Sequence, residues 1–422
     1  MEAHGGEAKA GKSRMEKREH QPDWRVPFAA TFVMQALAAI LIVAMPVLGP
    51  LVTAAAGRPP EAVGTISTLT ALGTLWFLAA GTPILERFGP LRSLQLGALL
   101  GAVGLALVLA GSWGLVLVGA FAIGVGYGPS PPAGSEILAR TVPKGRRSLI
   151  FSAKQAAVPA GGMAAGLVLP VLAARDGWRG ALAAAAFFAV VLALLMQPLR
   201  ARLDAGRGGQ SAFLLSRIFA LRSLKAPFAG LAGQPGLVVV SYCGFGFACV
   251  QGAITAFAVT FLVDRFGLRL KDAALGFTLM QCAGIVARIV MGWIADLVAS
   301  AIRTLTALAL LSSLVLGGLA AASQANAAAA AVVLLGLTGF FSASWNGIVL
   351  SEVAALARPA EIAAATSSAT FFIFIGYSLS PVLFGALVRG AEGYALAFAS
   401  LAILSLSVTA LLVRAGQRRP DA

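Results

Sequence analysis

Twelve stretches of this chain stay apolar for about 20 residues each, the length a helix needs to cross a ~30 Å hydrocarbon core. They run roughly 27–52, 61–84, 93–112, 114–138, 149–173, 178–198, 236–261, 273–296, 304–322, 327–351, 363–388 and 393–413. Backbone groups in lipid must be satisfied inside a helix or a closed barrel. Barrel strands alternate over about 10 residues; these runs are continuous and long. The pattern therefore predicts an all-α membrane protein with twelve transmembrane helices. The longest polar interruption, 199–235, leaves six runs on either side. The expected organisation is a disordered tail (1–24), an N-terminal six-helix bundle (25–198), a basic linker (199–235), a C-terminal six-helix bundle (236–415) and a short tail (416–422). Residues 211–224 read either as plain linker or as an amphipathic helix on the membrane surface.

Composition agrees with the pattern. Charged residues make up 12% of the chain, half the roughly 25% of a soluble domain. The 48 glycines suit helices that pack closely in lipid. A net charge of +15 raises the question of nucleic acid, but the charges lie between spans and form no soluble basic domain. Of the 32 Lys and Arg, 23 fall on the side of the amino terminus and seven on the other, with Lys154 and Arg288 inside spans. Basic residues collect on the cytoplasmic side. Both termini are thus expected in the cytoplasm, in a bacterial-type inner membrane, with the lipid bilayer as partner and no nucleic acid. The first 24 residues have no apolar core and so do not read as a cleavable signal peptide. Cys243, Cys249 and Cys282 lie in apolar runs without metal or disulfide spacing.

The two halves repeat. Span 4 ends in Ser135-Glu136 and span 10 in Ser351-Glu352, an offset of 216 residues. Span 4 is interrupted by Gly128-Pro129-Ser130-Pro131-Pro132, and the same offset in span 10 reaches Ser344-Trp345-Asn346-Gly347. Breaks at matching positions point to a transporter binding site, which makes Trp345 and Asn346 candidate cavity residues. Packing kinks would explain the prolines equally well. The loops after the second span of each half also correspond: Gly81 to Arg92, with Glu86-Arg87-Phe88-Gly89, and Gly292 to Asp296.

These loops, the twelve spans and the basic centre resemble the major facilitator superfamily, whose signature here is Gly-x-x-x-Asp-Arg-x-Gly-Arg-Arg. Gly292 and Asp296 match it in the second half, and Glu86, Arg87 and Gly89 in the first, with Glu in place of Asp. Gly81 is one residue out of register, Pro90-Leu91 replaces two basic residues, and Leu297 replaces the Arg. The resemblance implies that these residues latch a cytoplasmic gate and that spans 5 and 8 face each other across the halves. The strings 126–143, 152–162 and 287–296 are further similar to bacterial members grouped with cyanate, nitrate and oxalate-type anion carriers. In several of those an Arg in span 8 meets the anion, and Arg288 stands in the comparable segment.

Charges inside a span are costly and mark function. Lys154 and Arg288 lie ~9–12 Å from the cytoplasmic boundary at 1.5 Å per residue. One reading makes them an anion site, Arg288 as a planar fork and Lys154 as a point charge, with Gln155, Gln251 and Gln281 as neutral donors. The other pairs Lys154 with Glu136, and Arg288 with Glu352 or Asp296. Glu136 and Glu352 read as gate residues paired with Arg146, Arg147 or Arg358, or as proton carriers should protons couple transport. Tyr242 and Tyr377 are cavity or core aromatics. Pro159 to Gly162 partly resembles the family's antiporter motif, and packing explains it as well.

No Gly-x-x-x-x-Gly-Lys-Ser/Thr loop, metal constellation or nucleophile–base pair occurs. The expectation is therefore a non-enzymatic secondary transporter, without cofactor or metal, moving a small solute by alternating access. The solute is expected to be an anion. An exporter of hydrophobic compounds, suggested by Phe371, Phe372 and Phe374, and a membrane sensor without transport are the alternatives.

Overall fold

Glycine and proline mark most of the places where the apolar runs break, among them Gly57, Gly89, Gly111, Gly177 and Gly267 at positive φ. The computed structural model describes residues 24–142, 150, 153–204, 235–298, 300–358, 362–390 and 393–417. The tail before Trp24, the linker from 205 to 234 with its 211–224 segment, Arg146, Arg147 and residues 418–422 lie outside them. Among the described residues every regular element is a helix. In chain order the helices are α1 (Arg25–Ala55), α2 (Val63–Ala80), α3 (Thr82–Phe88), α4 (Pro90–Leu109), α5 (Trp113–Tyr127), α6 (Ser130–Thr141), α7 (Ala157–Leu195), α8 (Arg200–Leu203), α9 (Pro235–Phe266), α10 (Leu270–Val298), α11 (Ala301–Gln324), α12 (Ala328–Ser342), α13 (Asn346–Leu356), α14 (Ile362–Val388) and α15 (Gly393–Gln417). Short 3₁₀ turns occupy Pro60–Ala62 and Gln197–Leu199.

Among the described residues eleven stretches are long and apolar enough to cross a membrane. One of them, Ala153–Leu203, is more than twice the needed length at 51 residues. Gly177 divides it: its φ of 72° and ψ of 168° are not helical. Glycine adopts that backbone without a Cβ penalty. Counting its two arms separately gives the twelve spans, with spans 5 and 6 parted where the sequence placed the boundary. Span 4 is α5 plus α6, and span 10 is α12 plus α13.

Packing repeats between the halves. In the first, span 1 lies on 5, 2 on 4, 3 on 6 and 3 on 4. In the second, span 7 lies on 11, 8 on 10, 9 on 12 and 9 on 10. Each pair is its counterpart shifted by six spans. The closest backbone approaches repeat too. A Cβ on Gly124 of span 4 would overlap the Thr70 carbonyl of span 2, and one on Gly339 of span 10 would overlap the Met280 carbonyl of span 8. Glycine is required there because backbone meets backbone.

Across the halves, span 1 meets 7, 2 meets 11 and 5 meets 8, the last as the resemblance implied. The tight contacts gather in the half of the bundle away from the termini. A Cβ on Gly64 would strike the Pro381 carbonyl, and one on Gly166 would strike Thr278. Val382 N donates to Thr68 Oγ1 at 3.1 Å, and Arg389 pairs with Glu61 at 3.4 Å. One apolar core joins the halves there, including Met45, Leu48, Val63, Phe257, Phe261 and Phe384. A separate core, including Leu237, Phe247, Leu305 and Val353, serves the other end of the second half.

Candidate functional site

The central region is built at the two helix breaks and on α10. At the first break, Pro129 precedes α6, and Pro131 and Pro132 fall in its first turn. Proline is tolerated at that position because the first N–H groups of a helix have no internal acceptor. Span 4 thus ends as α5 at Tyr127 and restarts at Ser130. The second break, Ala343 to Trp345, has no proline. Ser344 Oγ donates back to the Phe340 carbonyl at 3.0 Å, and Trp345 stacks on Phe247 with centroids 5.7 Å apart and planes 10° apart. The two interruptions coincide under the 216-residue offset.

Arg288 projects from α10 in the middle of the bundle. The residue is half-buried, yet its Nη1 is closed off from solvent and has no hydrogen-bond partner among the described residues. It interacts electrostatically with Tyr127 of the first half, and Tyr127 with Tyr377 of the second. Thr255 lies next to Tyr377. These residues span both halves, with one cation and no carboxylate among them. Beside them α9, α10 and α12 enclose a pocket of about 20 Å³, lined by Gln251, Thr255, Gln281, Thr338 and Ser342 with Ile254 and Met280. The neutral donors expected at Gln251 and Gln281 therefore share one pocket.

Lys154 is placed differently from either reading of the sequence. It is buried at 1% exposure. Its Nζ donates to the Pro131 carbonyl at 3.2 Å and to Ser135 Oγ at 3.4 Å, fitting against Gly134, where a Cβ would lie 2.6 Å from its Cε. It ties span 5 to the restart of span 4. Glu136 pairs one turn along with Arg140, so the Lys154–Glu136 pair does not form. Gln155 is exposed, and its Oε1 accepts from Gln35 Nε2 at 3.1 Å. Trp345 is 1% exposed and belongs to the packing of its own half, away from any open surface; its Nε1 has no partner among the described residues. Asn346 opens α13 and is half-buried.

At the termini end, Glu86 and Arg87 are exposed on α3, and Gly89 turns into α4 with φ +85°. A residue that the sequence left in the linker completes this corner. Asp204, after α8, accepts from Leu91 N at 2.7 Å and Arg92 N at 3.2 Å. Burial pushes its carboxyl above the ordinary range, with Glu136 adding to the rise, while the Leu91 and Arg92 N–H groups and Arg200 pull it back. Gly89 lies so close that a Cβ would fall 2.7 Å from the Asp204 carboxyl carbon. Gly292 and Asp296 stand on α10 in the corresponding corner, their side chains outside the described ones. Glu352 is half-buried on α13. Tyr127, Thr255, Asp204 and the Glu61–Arg389 pair were not singled out by sequence. Only Tyr127, one residue before the Gly-Pro break, carried a local signal. Among the described residues no His, Cys, Asp and Glu cluster fits a metal.

Solved structures share this fold at low identity. A bacterial homologue of the human lysosomal transporter Spinster, in an inward-facing and unoccupied conformation, superposes with a TM-score of 0.70 at 16% identity, covering 92% of this chain and 95% of that one. The nucleoside transporter NupG gives 0.73 at 13% identity, covering 92% and 98%. The peptide transporter POT in complex with sulfate gives 0.73 at 15% identity, covering 93% and 94%. No curated protein matches the sequence. The sequence profile described as Major Facilitator Superfamily matches residues 27–381. With that match over most of its length, twelve spans in two repeated halves and a polar centre between them, the chain belongs to the major facilitator superfamily and is a membrane transporter rather than an enzyme.

Proposed function

We propose that this transporter moves a small organic or inorganic anion across a bacterial inner membrane by alternating access, with both termini in the cytoplasm. The observation that carries the reading is Arg288: a guanidinium within electrostatic range of the other half, with Nη1 closed off from solvent and unpartnered among the described residues. An enclosed cation without a counter-charge is costly, and an anion that binds between the halves relieves that cost. The Lys and Arg asymmetry of the loops supports the orientation. In that orientation the closed end faces outward, and the gate residues Glu86, Arg87, Gly89, Gly292, Asp296, Glu136 and Glu352 face the cytoplasm. Lys154 is assigned to holding the span 4 break with Gln155 beside it, and Trp345 and Asn346 to the span 10 break. Protons are the proposed coupling ion.

The test is binding and uptake by the purified protein. A thermal-shift screen against carboxylates, nitrate and cyanate should find a stabilising anion, since a ligand that binds only the folded state raises stability. Uptake of that anion into proteoliposomes should vanish in Arg288→Ala. Undiminished anion uptake by that variant would refute the assignment.

A further inference from the structure

Arg288 and Gln281 are seven residues apart on α10. Seven residues is nearly two turns, so they share a face at ~10 Å separation. The two positions differ in chemistry. Arg288 offers a charge. The pocket at Gln281, with Gln251, Thr255, Thr338 and Ser342, offers only neutral donors and acceptors, and at about 20 Å³ it holds one water-sized group. Near them stand Thr255, Tyr377 and Tyr127, Tyr127 lying within electrostatic range of both Tyr377 and Arg288. The other cation well inside a span, Lys154, is turned towards the Pro131 carbonyl and Ser135. A second negative charge on a ligand would therefore meet no cation in the pocket.

Resting on the anion reading above, we propose that the site is two-pointed and selects a singly charged anion with a neutral hydrogen-bonding group on its far end. One carboxylate takes the Arg288 fork. A hydroxyl or amide two turns away fills the Gln251–Gln281 pocket. A dianion of the same length is rejected, because its second carboxylate would be desolvated among neutral groups.

The experiment uses the purified full-length protein with three series of about four to eight carbons, a range set by the ~10 Å separation: ω-hydroxy monocarboxylates, the plain monocarboxylates, and the dicarboxylates of equal length. Thermal stabilisation and competition for uptake into proteoliposomes are measured for each. One length of hydroxy acid should act at concentrations at least about tenfold below both its plain and its dicarboxylate counterparts. Gln281→Leu should erase the advantage over the plain acid. Gln281 packs against Gly162, so Gln251→Leu, on the opposite wall, serves as the second variant with the same expected result. Dicarboxylates binding as well as hydroxy acids, or an advantage that survives both substitutions, would overturn the two-point site while leaving the anion reading standing. Failure of all three series to bind would also overturn the two-point site, whereas acids that bind equally to wild type and Arg288→Ala would remove both readings.

Discussion

The carboxylate of Asp204 closes the start of the helix that begins at Pro90: its Oδ1 accepts from Leu91 N at 2.7 Å, across 113 residues of chain. The first N–H groups of a helix have no internal acceptor, and here the acceptor comes from the end of the sixth span. Gly89, at φ +85°, lets the two backbones approach. The corner joins the end of the first half to its third span, beside the loop that carries Glu86 and Arg87.

Asp204→Ala should therefore destabilise the detergent-solubilised protein by about 1–2 kcal/mol, the usual cost of a lost helix cap. Asp204→Asn keeps one acceptor and should cost less. Because the folded state raises the Asp204 pKa, it binds the proton more tightly than the unfolded chain does. Its contribution to stability should grow as pH falls through that raised value and diminish above it. Thermal unfolding across about pH 4–8 should show this slope in wild type and a flatter one in Asp204→Asn.

Lys154 is held by neutral partners that also bond each other, Ser135 Oγ donating to the Pro131 carbonyl at 2.8 Å. Lys154→Met replaces a buried ammonium with an apolar chain of similar length. It should change thermal stability little or raise it, and leave anion affinity within about twofold. A loss of binding equal to that in Arg288→Ala would return Lys154 to the ligand set.

Gly124→Ala and Gly339→Ala each drive a methyl into a carbonyl of the neighbouring span. Each should cost about 1–3 kcal/mol, the usual range for overpacking, read as a lower unfolding temperature in detergent. Gly177→Ala is a different case: nothing lies within 4 Å of its Cβ position, and its cost should come from the backbone at φ +72° alone.

Glu61 and Arg389 join the halves at the closed end, with Arg389 58% exposed. Such a pair is worth at most about 1 kcal/mol. Glu61→Gln should leave folding intact and shift the balance towards an open far end by a few-fold. Labelling of Cys282, which touches Met163 of the opposite half at 3.2 Å, by a water-soluble maleimide should speed up correspondingly. The exchange of charges, Glu61→Arg with Arg389→Glu, should restore the wild-type rate.

Much of the architecture is legible in the chain itself. Gly128 to Pro132 announced a break, since proline cannot continue a helix, and the shifted match located its partner at Ser344 to Trp345. Arg288 and the glutamines Gln251 and Gln281 stood out as polar groups in apolar runs. The burial of Trp345 had no local signal, because it depends on Phe247, which comes from a span distant in sequence. The partners of Lys154 were hidden for the same reason: loop folding made Glu136 look reachable, whereas the restarted helix turns Pro131 and Ser135 towards the amine. Asp204 looked like one more linker charge until the third span was placed beside it.

By itself, the order of apolar and polar residues determined the solvent, the number of spans, their division into halves and the positions of the breaks. Those follow from hydrocarbon's intolerance of unpaired backbone and charge, which acts on each segment separately. Only the tertiary structure decided which cation is enclosed without a partner, which is engaged by carbonyl and hydroxyl, and which end of the bundle is shut. Those depend on which helix faces meet, and helices distant in sequence meet through packing that no single segment encodes.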